Sequence, residues 1–328
     1  MTGPSTETAA GLITEAAQCE LCGTAEHAGL LGAGWDFEYA TSRHEFRIVR
    51  CSACGLVYLA DRPVAEAMAV IYPPNYYSFD ESTRENRLVK AVRDQLERRK
   101  ARAYTRLVGV GPRDVLDVGC GDGRLLDILK GHGDAHWRLS GVEIGAGAAA
   151  RARAKGYEVV DGDFETVDLG AWRGRFDLIL MHQVLEHTRS PRQAIRKVLS
   201  LLKYGGVFSI ETPDTKSWDG ALFRRRYWGG YHIPRHFYLF NKGNLSRLLG
   251  QEGFQIVRQR SILSPVFWIH SLHNFLVDHP SMARLGRFAH YQNPLLLAGA
   301  TMIDLLQITV ASRSSNMQVL ARRREAAI

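Results

Sequence analysis

Three observations predict an α/β fold built on a mostly parallel sheet. A glycine-rich turn joins an apolar strand to a helix, further short apolar strands end in acids, and helical stretches separate them. The turn lies in residues 115–126, VLDVGCGDGRLL. Val115, Leu116 and Val118 form the strand, Gly119, Gly121 and Gly123 the turn, and Arg124 opens the helix. Glycines at such a turn let a ligand approach the backbone with no Cβ in the way. The helix start aims its unpaired N–H groups at the same place. This is the layout of a nucleotide-type cofactor site at the carboxyl end of a parallel strand, and it makes the sheet Rossmann-like.

The other strands follow in order. Residues 139–143 (LSGVE) end at Glu143, whose carboxylate can accept both hydroxyls of a ribose. Residues 156–160 (GYEVV) lead to Asp161, Gly162, Asp163 and Phe164. Residues 176–181 (FDLILM) lead to His182, Gln183, Val184, Leu185, Glu186 and His187. A fifth strand is expected at 206–211, a sixth at 254–262, and an antiparallel seventh at 316–322 beside the sixth. Residues 263–315 between the last two are far longer than a hairpin connection and hold two apolar helical stretches, 265–277 and 294–310.

The spacing from Asp117 to Gly123 is Asp-x-Gly-x-Gly-x-Gly, which is not the G-x-G-x-x-G of dinucleotide binders, and no P-loop Lys-Ser/Thr follows. It resembles the first motif of class I S-adenosylmethionine (SAM) methyltransferases. The resemblance implies a seven-stranded class I methyltransferase sheet. It also implies that Gly119, Cys120, Gly121 and Gly123 cradle the methionine half of SAM, with Asp117 meeting its amino group directly or through water. Glu143, with Ile144 beside it, would hold the ribose; Asp163 would accept the adenine amino group, and Phe164 would offer a backbone N–H or a ring face. His182 and Gln183 are expected to touch the cofactor through backbone and side chain.

Four of the five cysteines form two C-x-x-C pairs, Cys19/Cys22 and Cys51/Cys54, each followed by a glycine, Gly23 or Gly55. Two such knuckles across a strand-rich segment match a four-cysteine zinc ribbon. A closed four-thiolate site leaves no open coordination position, so the expected Zn2+ is structural. A redox pair would need one C-x-x-C, opening a helix. After the ribbon come a short helix at 62–71, an aromatic loop at 72–80, and a long basic helical stretch at 82–110 ended by Pro112. A ribbon ending in a CGLVY strand, a Tyr-Tyr loop and then a SAM domain is similar to a bacterial group of small-molecule methyltransferases. That group includes sugar C-methyltransferases and cell-surface or natural-product O-methyltransferases. The resemblance implies that Tyr77 (or Tyr76) covers SAM; the alternative is that these tyrosines pack the ribbon onto the main domain.

Because the methyl of SAM is already activated, the protein has to align an acceptor and remove its proton. Histidine is the natural base near neutral pH. His187 ends the VLEH run, and His232 and His236 lie in YHIPRHFY, within an aromatic segment at the carboxyl end of the sheet. In the resembled group an H-x-Y-x-F-like segment contributes to the acceptor pocket, which ranks His236 first and adds Tyr238 as a secondary candidate. The alternative for each histidine is a hydrogen bond that merely holds the loop.

The chain of 328 residues is 45% hydrophobic and 23% charged, ordinary for a globular protein. A net charge of +8 permits nucleic acid, an anionic membrane or a phosphorylated substrate and selects none of them. No basic-then-apolar leader opens the sequence, so the expected location is cytoplasmic, peripheral to a membrane if the cap meets one. The expected organisation is a frayed 1–17, a zinc ribbon at 18–60, an aromatic loop and linker helices at 61–110, and a SAM-binding core at 111–262. An acceptor segment at 213–241 is inserted in that core; a helical cap at 263–315 and a final strand and tail at 316–328 follow. The cap either buries its own faces or skims a membrane or lipid substrate. The reading is methyl transfer to an O or C acceptor, less readily N, on a small molecule such as a sugar nucleotide, glycan or natural-product intermediate. One alternative is a ribosomal-RNA base methyltransferase gripping RNA with its ribbon. Against a nucleic-acid partner, residues 19–54 include only Arg43, Arg47 and Arg50, and HQVL stands where an NPPY-type tetrapeptide would. The other is a non-catalytic SAM-fold partner protein, which the intact Asp117, Glu143 and Asp163 set argues against.

Overall fold

A computed structural model describes residues 12–73 and 87–324 of the chain. Tyr76 and Tyr77 therefore lie outside the described residues.

The N-terminal part holds β1 (Thr14–Ala16), β2 (His27–Gly34), β3 (Phe46–Cys51), β4 (Val57–Leu59) and β5 (Asp61–Pro63). β1 pairs antiparallel with β5, and Glu15 bridges Arg62 at 2.7 Å and also meets Arg189. Residues 12–17 are therefore tied down, which corrects the expectation of a frayed 1–17 for that part. In β3 Phe46, Ile48, Val49 and Cys51 are buried while Arg47 and Arg50 are exposed, so the alternation of a half-buried strand is broken at Val49.

A short α1 (Met68–Ile71) and the long α2 (Arg87–Val108) precede the main sheet. Its parallel part alternates β6 (Asp114–Val118), α3 (Arg124–His132), β7 (Arg138–Glu143), α4 (Ala146–Ala154), β8 (Glu158–Asp161), β9 (Phe176–His182), α5 (Pro191–Leu201) and β10 (Leu202–Pro213). Strands covered on both faces read as continuous apolar runs, and β6 is buried at every position. α5 starts where Ser190 accepts a bond from the Gln193 N–H and Pro191 takes the first turn, and it buries Ala194, Ile195, Val198 and Leu201 on one face.

The chain then forms α6 (Trp218–Leu222), β11 (Tyr238–Leu239), α7 (Lys242–Gln251), β12 (Phe254–Ile262), α8 (Val266–Asp278), α9 (Ala283–Gly286), α10 (Pro294–Ala311) and β13 (Asn316–Arg323). The seven strands lie in the order β12-β13-β10-β9-β6-β7-β8, with β13 antiparallel to both its neighbours. The Rossmann-like sheet expected from the sequence is the observed one.

The ribbon is not a separate unit. β11, from within the segment 213–241, pairs antiparallel with β4 (Tyr238 opposite Tyr58, Leu239 opposite Val57) and completes a sheet of order β11-β4-β3-β2. Phe46, Ile48 and Leu59 of the ribbon share one apolar core with Leu116, Val118, Met181 and Phe237. The boundaries at 18–60 and 213–241 therefore do not mark independent bodies. A piece of about 40 residues buries too little surface to stand alone, and this one borrows a strand and a core.

Candidate functional site

The cradle is formed where β6 and β7 end. Gly119, Gly121 and Gly123 all have left-handed backbones, with φ of +75°, +57° and +88°. A Cβ on Gly119 would collide with Val184 Cγ2 at 2.6 Å, so the turn after β9 closes on the glycine loop from one side. A Cβ on Gly121 would meet nothing within 4 Å, so there the left-handed backbone, not crowding, calls for glycine. Gly123 precedes α3 and gives it no capping bond; the first N–H of the helix, that of Arg124, donates instead to the Asp122 carboxylate at 3.2 Å. Cys120 is buried against Gly141, where any Cβ would lie 2.5 Å from its sulfur, and burial pushes its thiol up.

Glu143 organises the loop. One carboxylate oxygen accepts the Gly121 N–H and the other the Gly145 N–H, both at 2.8 Å, and each oxygen keeps a second lone pair. Ile144 beside it is 64% exposed, an apolar face left open at the strand end. Asp163 accepts the Glu165 N–H at 2.8 Å. Phe164 buries its ring in the core, which leaves its backbone, not its ring face, for a ligand. Asp117 is buried, and its carboxyl is pushed up to about 8 by desolvation first and by the charge of Glu143 second.

His182 and Gln183 turn their side chains elsewhere. His182 Nε2 lies 3.2 Å from the hydroxyls of both Tyr104 and Ser209, under α2. Around it Lys100 donates to Glu211 at 3.0 Å, and Gln318 donates to Glu211 at 2.8 Å and to Tyr104 at 3.0 Å. This buried polar layer was not foreseen. Gln183, at φ +55°, sends its amide to Asn316 at 3.1 Å. Side-chain contact with the cofactor expected of these two residues is thus replaced by packing roles.

Three residues after Val184, the chain enters a cluster of three histidines. The rings of His187 and His236 are 4.5 Å apart, those of His232 and His236 5.0 Å, and those of His187 and His232 6.0 Å. His236 Nδ1–H donates to the Gly230 carbonyl at 2.8 Å, and His187 Nδ1–H points at the Arg235 carbonyl at 3.1 Å with the Tyr72 hydroxyl at 3.0 Å. Those carbonyls can only accept, so each Nε2 carries its lone pair. Glu186, His187 and His236 bring one donor atom each within 4.8 Å of one another, and His236 Nε2 is 4.0 Å from Glu186. Glu186 is fully buried and makes no hydrogen bond of good geometry among the described residues, although Thr212 lies close enough to favour its charged form. Burial pushes its carboxyl up to about 8. Burial, followed by the charge of neighbouring histidines, pushes His187 down to about 3 and His236 well below the usual imidazole range.

The cluster is pinned from the N-terminal part. Fully buried Arg235 forms a two-pronged pair with Asp36 at 2.8 and 3.1 Å and donates to the Ile71 carbonyl at 2.7 Å. His232 meets Glu38 at 2.9 Å; burial opposes the ionisation of Glu38, but His232 and His270 outweigh it and bring it down to about 2. Tyr238 is not in this cluster. Its hydroxyl donates to the Gln18 carbonyl at 3.1 Å and its ring packs 6.2 Å from Tyr58, so it belongs to the ribbon and is withdrawn as a catalytic candidate.

The cysteines converge as a third group. Sulfurs of Cys19 and Cys54 are 3.3 Å apart, those of Cys22 and Cys51 3.4 Å, and all four lie within 4.8 Å of one another. The two knuckles are alike: Gly23 N–H donates to Cys19 and Gly55 N–H to Cys51, with φ of +75° and +74° at the glycines. Four thiolates around one tetrahedral ion with bonds of about 2.3 Å sit at this kind of spacing, so the residues fit Zn2+.

The family model described as a methyltransferase domain matches residues 90–259, just over half of the 328 residues. The chain belongs to this methyltransferase-domain family. Among curated relatives, the ubiquinone biosynthesis O-methyltransferase of Erwinia tasmaniensis is 32% identical over 126 residues, 36% of this chain and 51% of that protein. A probable S-adenosylmethionine-dependent methyltransferase of Mycolicibacterium smegmatis is 28% identical over 144 residues, 44% of this chain and 52% of that protein. The chain spans about half the length of the curated relatives it matches. Among solved structures, the 1,6-didemethyltoxoflavin-N1-methyltransferase of Burkholderia thailandensis is similar at a TM-score of 0.48 and 16% identity, covering 84% of this chain and 98% of that one.

For a member of the methyltransferase-domain family, the charge of the cradle suits SAM. Asp117 and Glu143 are both buried, and the charge of Glu143 adds to the burial that holds the Asp117 carboxyl up, an arrangement that a cationic ligand relieves. SAM carries an ammonium and a sulfonium. Binding therefore favours ionised Asp117, and below its apo pKa that ionisation expels a proton. SAM affinity should rise by up to about tenfold per unit between pH 6 and 8, then level off. Titration calorimetry in buffers of different ionisation enthalpy checks this; a flat profile, or no proton release at pH 7, would count against Asp117 as the cation's partner.

Proposed function

We propose that the chain transfers the methyl group of SAM to an oxygen acceptor on a small molecule, with a carbon acceptor as the nearest variant. The observation that carries this reading is the histidine cluster. It offers neutral imidazoles with free Nε2 lone pairs, joined to the cradle through Val184. A neutral amine brings its own lone pair to SAM and needs no base, whereas a hydroxyl or a carbon acid must lose a proton as it attacks. His236 is the base in this reading, with Glu186 beside it to balance the imidazolium that forms. The name of the Erwinia tasmaniensis relative, an O-methyltransferase, points the same way.

The ribbon in this reading holds a structural Zn2+ and supports the acceptor segment. RNA binding gains little from its arginines: Arg47 is paired with Asp61 at 2.6 Å and Arg43 lies 3.7 Å from the centre of the Trp35 ring. The test is purified protein with methyl-labelled SAM and fractionated cell extract. Label should enter a small-molecule or lipid-extractable pool. Label in RNA would overturn the reading, and SAM binding with no transfer to any pool would favour a non-catalytic partner protein.

A further inference from the structure

α10 is amphipathic the wrong way round for a water-facing helix. The residues it buries are Ala300, Asp304 and Gln307, at the spacing of one helical face. Asp304 accepts from the Ser264 N–H at 2.6 Å and from the Ser314 hydroxyl at 3.0 Å, and Gln307 accepts the Trp218 N–H at 3.0 Å. The opposite face presents Leu295, Met302, Leu306 and Val310, exposed by 83%, 72%, 54% and 70%, with Ile303 and Leu305 flanking them. Leu285 and Phe288, in and just after α9, are also more than half exposed. α8 repeats the inversion in part: its polar Ser271 and Asn274 are buried, bonding to Gly229 N–H at 2.8 Å and the Tyr227 carbonyl at 3.2 Å. Helices that keep their polar groups for the protein and their apolar groups for the outside are solved for a non-aqueous neighbour.

The charges choose the neighbour. Within 263–315 the only acids are Asp278 and Asp304, and both are turned inward, Asp278 onto Arg226 at 2.7 Å and Asp304 as above. The three cations of the segment, Arg284, Arg287 and Arg313, are all exposed. We propose that α10, with the α9 region, is a docking face for an anionic lipid bilayer. α10 is the one helix among the described residues long and apolar enough to cross a membrane, at about 27 Å. Its Asp304 and Gln307 bonds hold it against the protein, so it lies on the bilayer and does not span it. The same bonds tie it to Trp218, and α8 is tied to Gly229, so docking sets the acceptor segment at the lipid surface.

The test is flotation of the full chain with vesicles, read without any methyl transfer. Binding should be strong to phosphatidylcholine mixed with phosphatidylglycerol and weak to phosphatidylcholine alone, with each arginine contributing roughly fivefold. Met302→Glu with Leu306→Glu, both at exposed positions, should weaken binding by about tenfold or more with an unchanged circular dichroism spectrum. Arg284→Gln, Arg287→Gln and Arg313→Gln together should remove the preference for anionic lipid. Equal flotation of the Met302/Leu306 variant would overturn the proposal, as would wild-type protein that stays with the aqueous phase. So would a wild-type dimer in sedimentation that the same variant dissociates, which would make the face an interface between two copies.

Discussion

Stripping the metal from the cysteine site should abolish methyl transfer while leaving SAM binding within about tenfold of its starting value. Cys19 and Cys51 are buried and all four sulfurs converge, so without a cation the knuckles bring together thiols that have no other reason to meet. Structural zinc in such a site contributes on the order of 10 kcal/mol or more of folding free energy. The loss does not stay in the ribbon, because β4 pairs with β11 and Leu59 N–H donates to the Phe237 carbonyl at 2.9 Å. His236 is the residue before Phe237, so a loosened ribbon displaces the proposed base. Displacement of a reacting group by about 1 Å can cost 100-fold in rate. The SAM cradle, built from β6, β7 and their turns, shares the core residues Leu116 and Val118 with the ribbon but no strand pairing, so its loss should be the smaller one. The measurements are zinc content, expected at one ion per chain, then SAM affinity and transfer rate after chelation, with Cys51→Ser as the genetic equivalent. Metal-free protein with full activity and an unchanged spectrum would show that the knuckles hold without zinc.

The cradle was legible because its chemistry is local. Asp117, the three glycines and Glu143 sit on two adjacent turns, and the order of acids at strand ends is carried by the chain itself. The cysteine pairs were legible for the same reason, since each knuckle is four residues long. What escaped was set by distant partners. The two-residue strand holding Tyr238 has no pattern of its own and exists because β4 offers an unpaired edge, so its hydroxyl faces Gln18 and not the acceptor site. His182 stands in the expected place, but α2 brings Tyr104 over it. Glu38 and Asp36 gave no signal, because their partners His232 and Arg235 lie some two hundred positions away. Glu186 adjoins a chosen histidine and was passed over, since one acid in a loop is ordinary until it is seen buried. In α10 the apolar stretch was visible, but which face it hides depended on Trp218, Ser264 and Ser314.

His236→Ala should lower the transfer rate at saturating SAM by about 100- to 10,000-fold, the usual weight of a general base, and leave SAM affinity unchanged. Its ring touches His187 and His232, not the glycine loop, so the two readouts should separate. Loss of both together would make the residue structural, and an active variant would remove it as the base. The pH profile carries a second signature. His236 is held neutral far below pH 6.5, so its own protonation should not limit the rate near neutrality. Glu186 is the group that titrates in that range: below about 8 it is protonated and neutral, and above it a carboxylate stands 4.0 Å from His236 Nε2. The carboxylate stabilises the imidazolium formed when the acceptor gives up its proton, so the rate at saturating SAM should climb as pH rises through about 8. Glu186→Gln should flatten that climb and hold the rate near its low-pH value. Asp117 titrates in the same range but acts on SAM affinity, so working at saturation silences it. A rate that climbs unchanged in Glu186→Gln would place the titrating group elsewhere, and the acceptor's own hydroxyl would be the next to test.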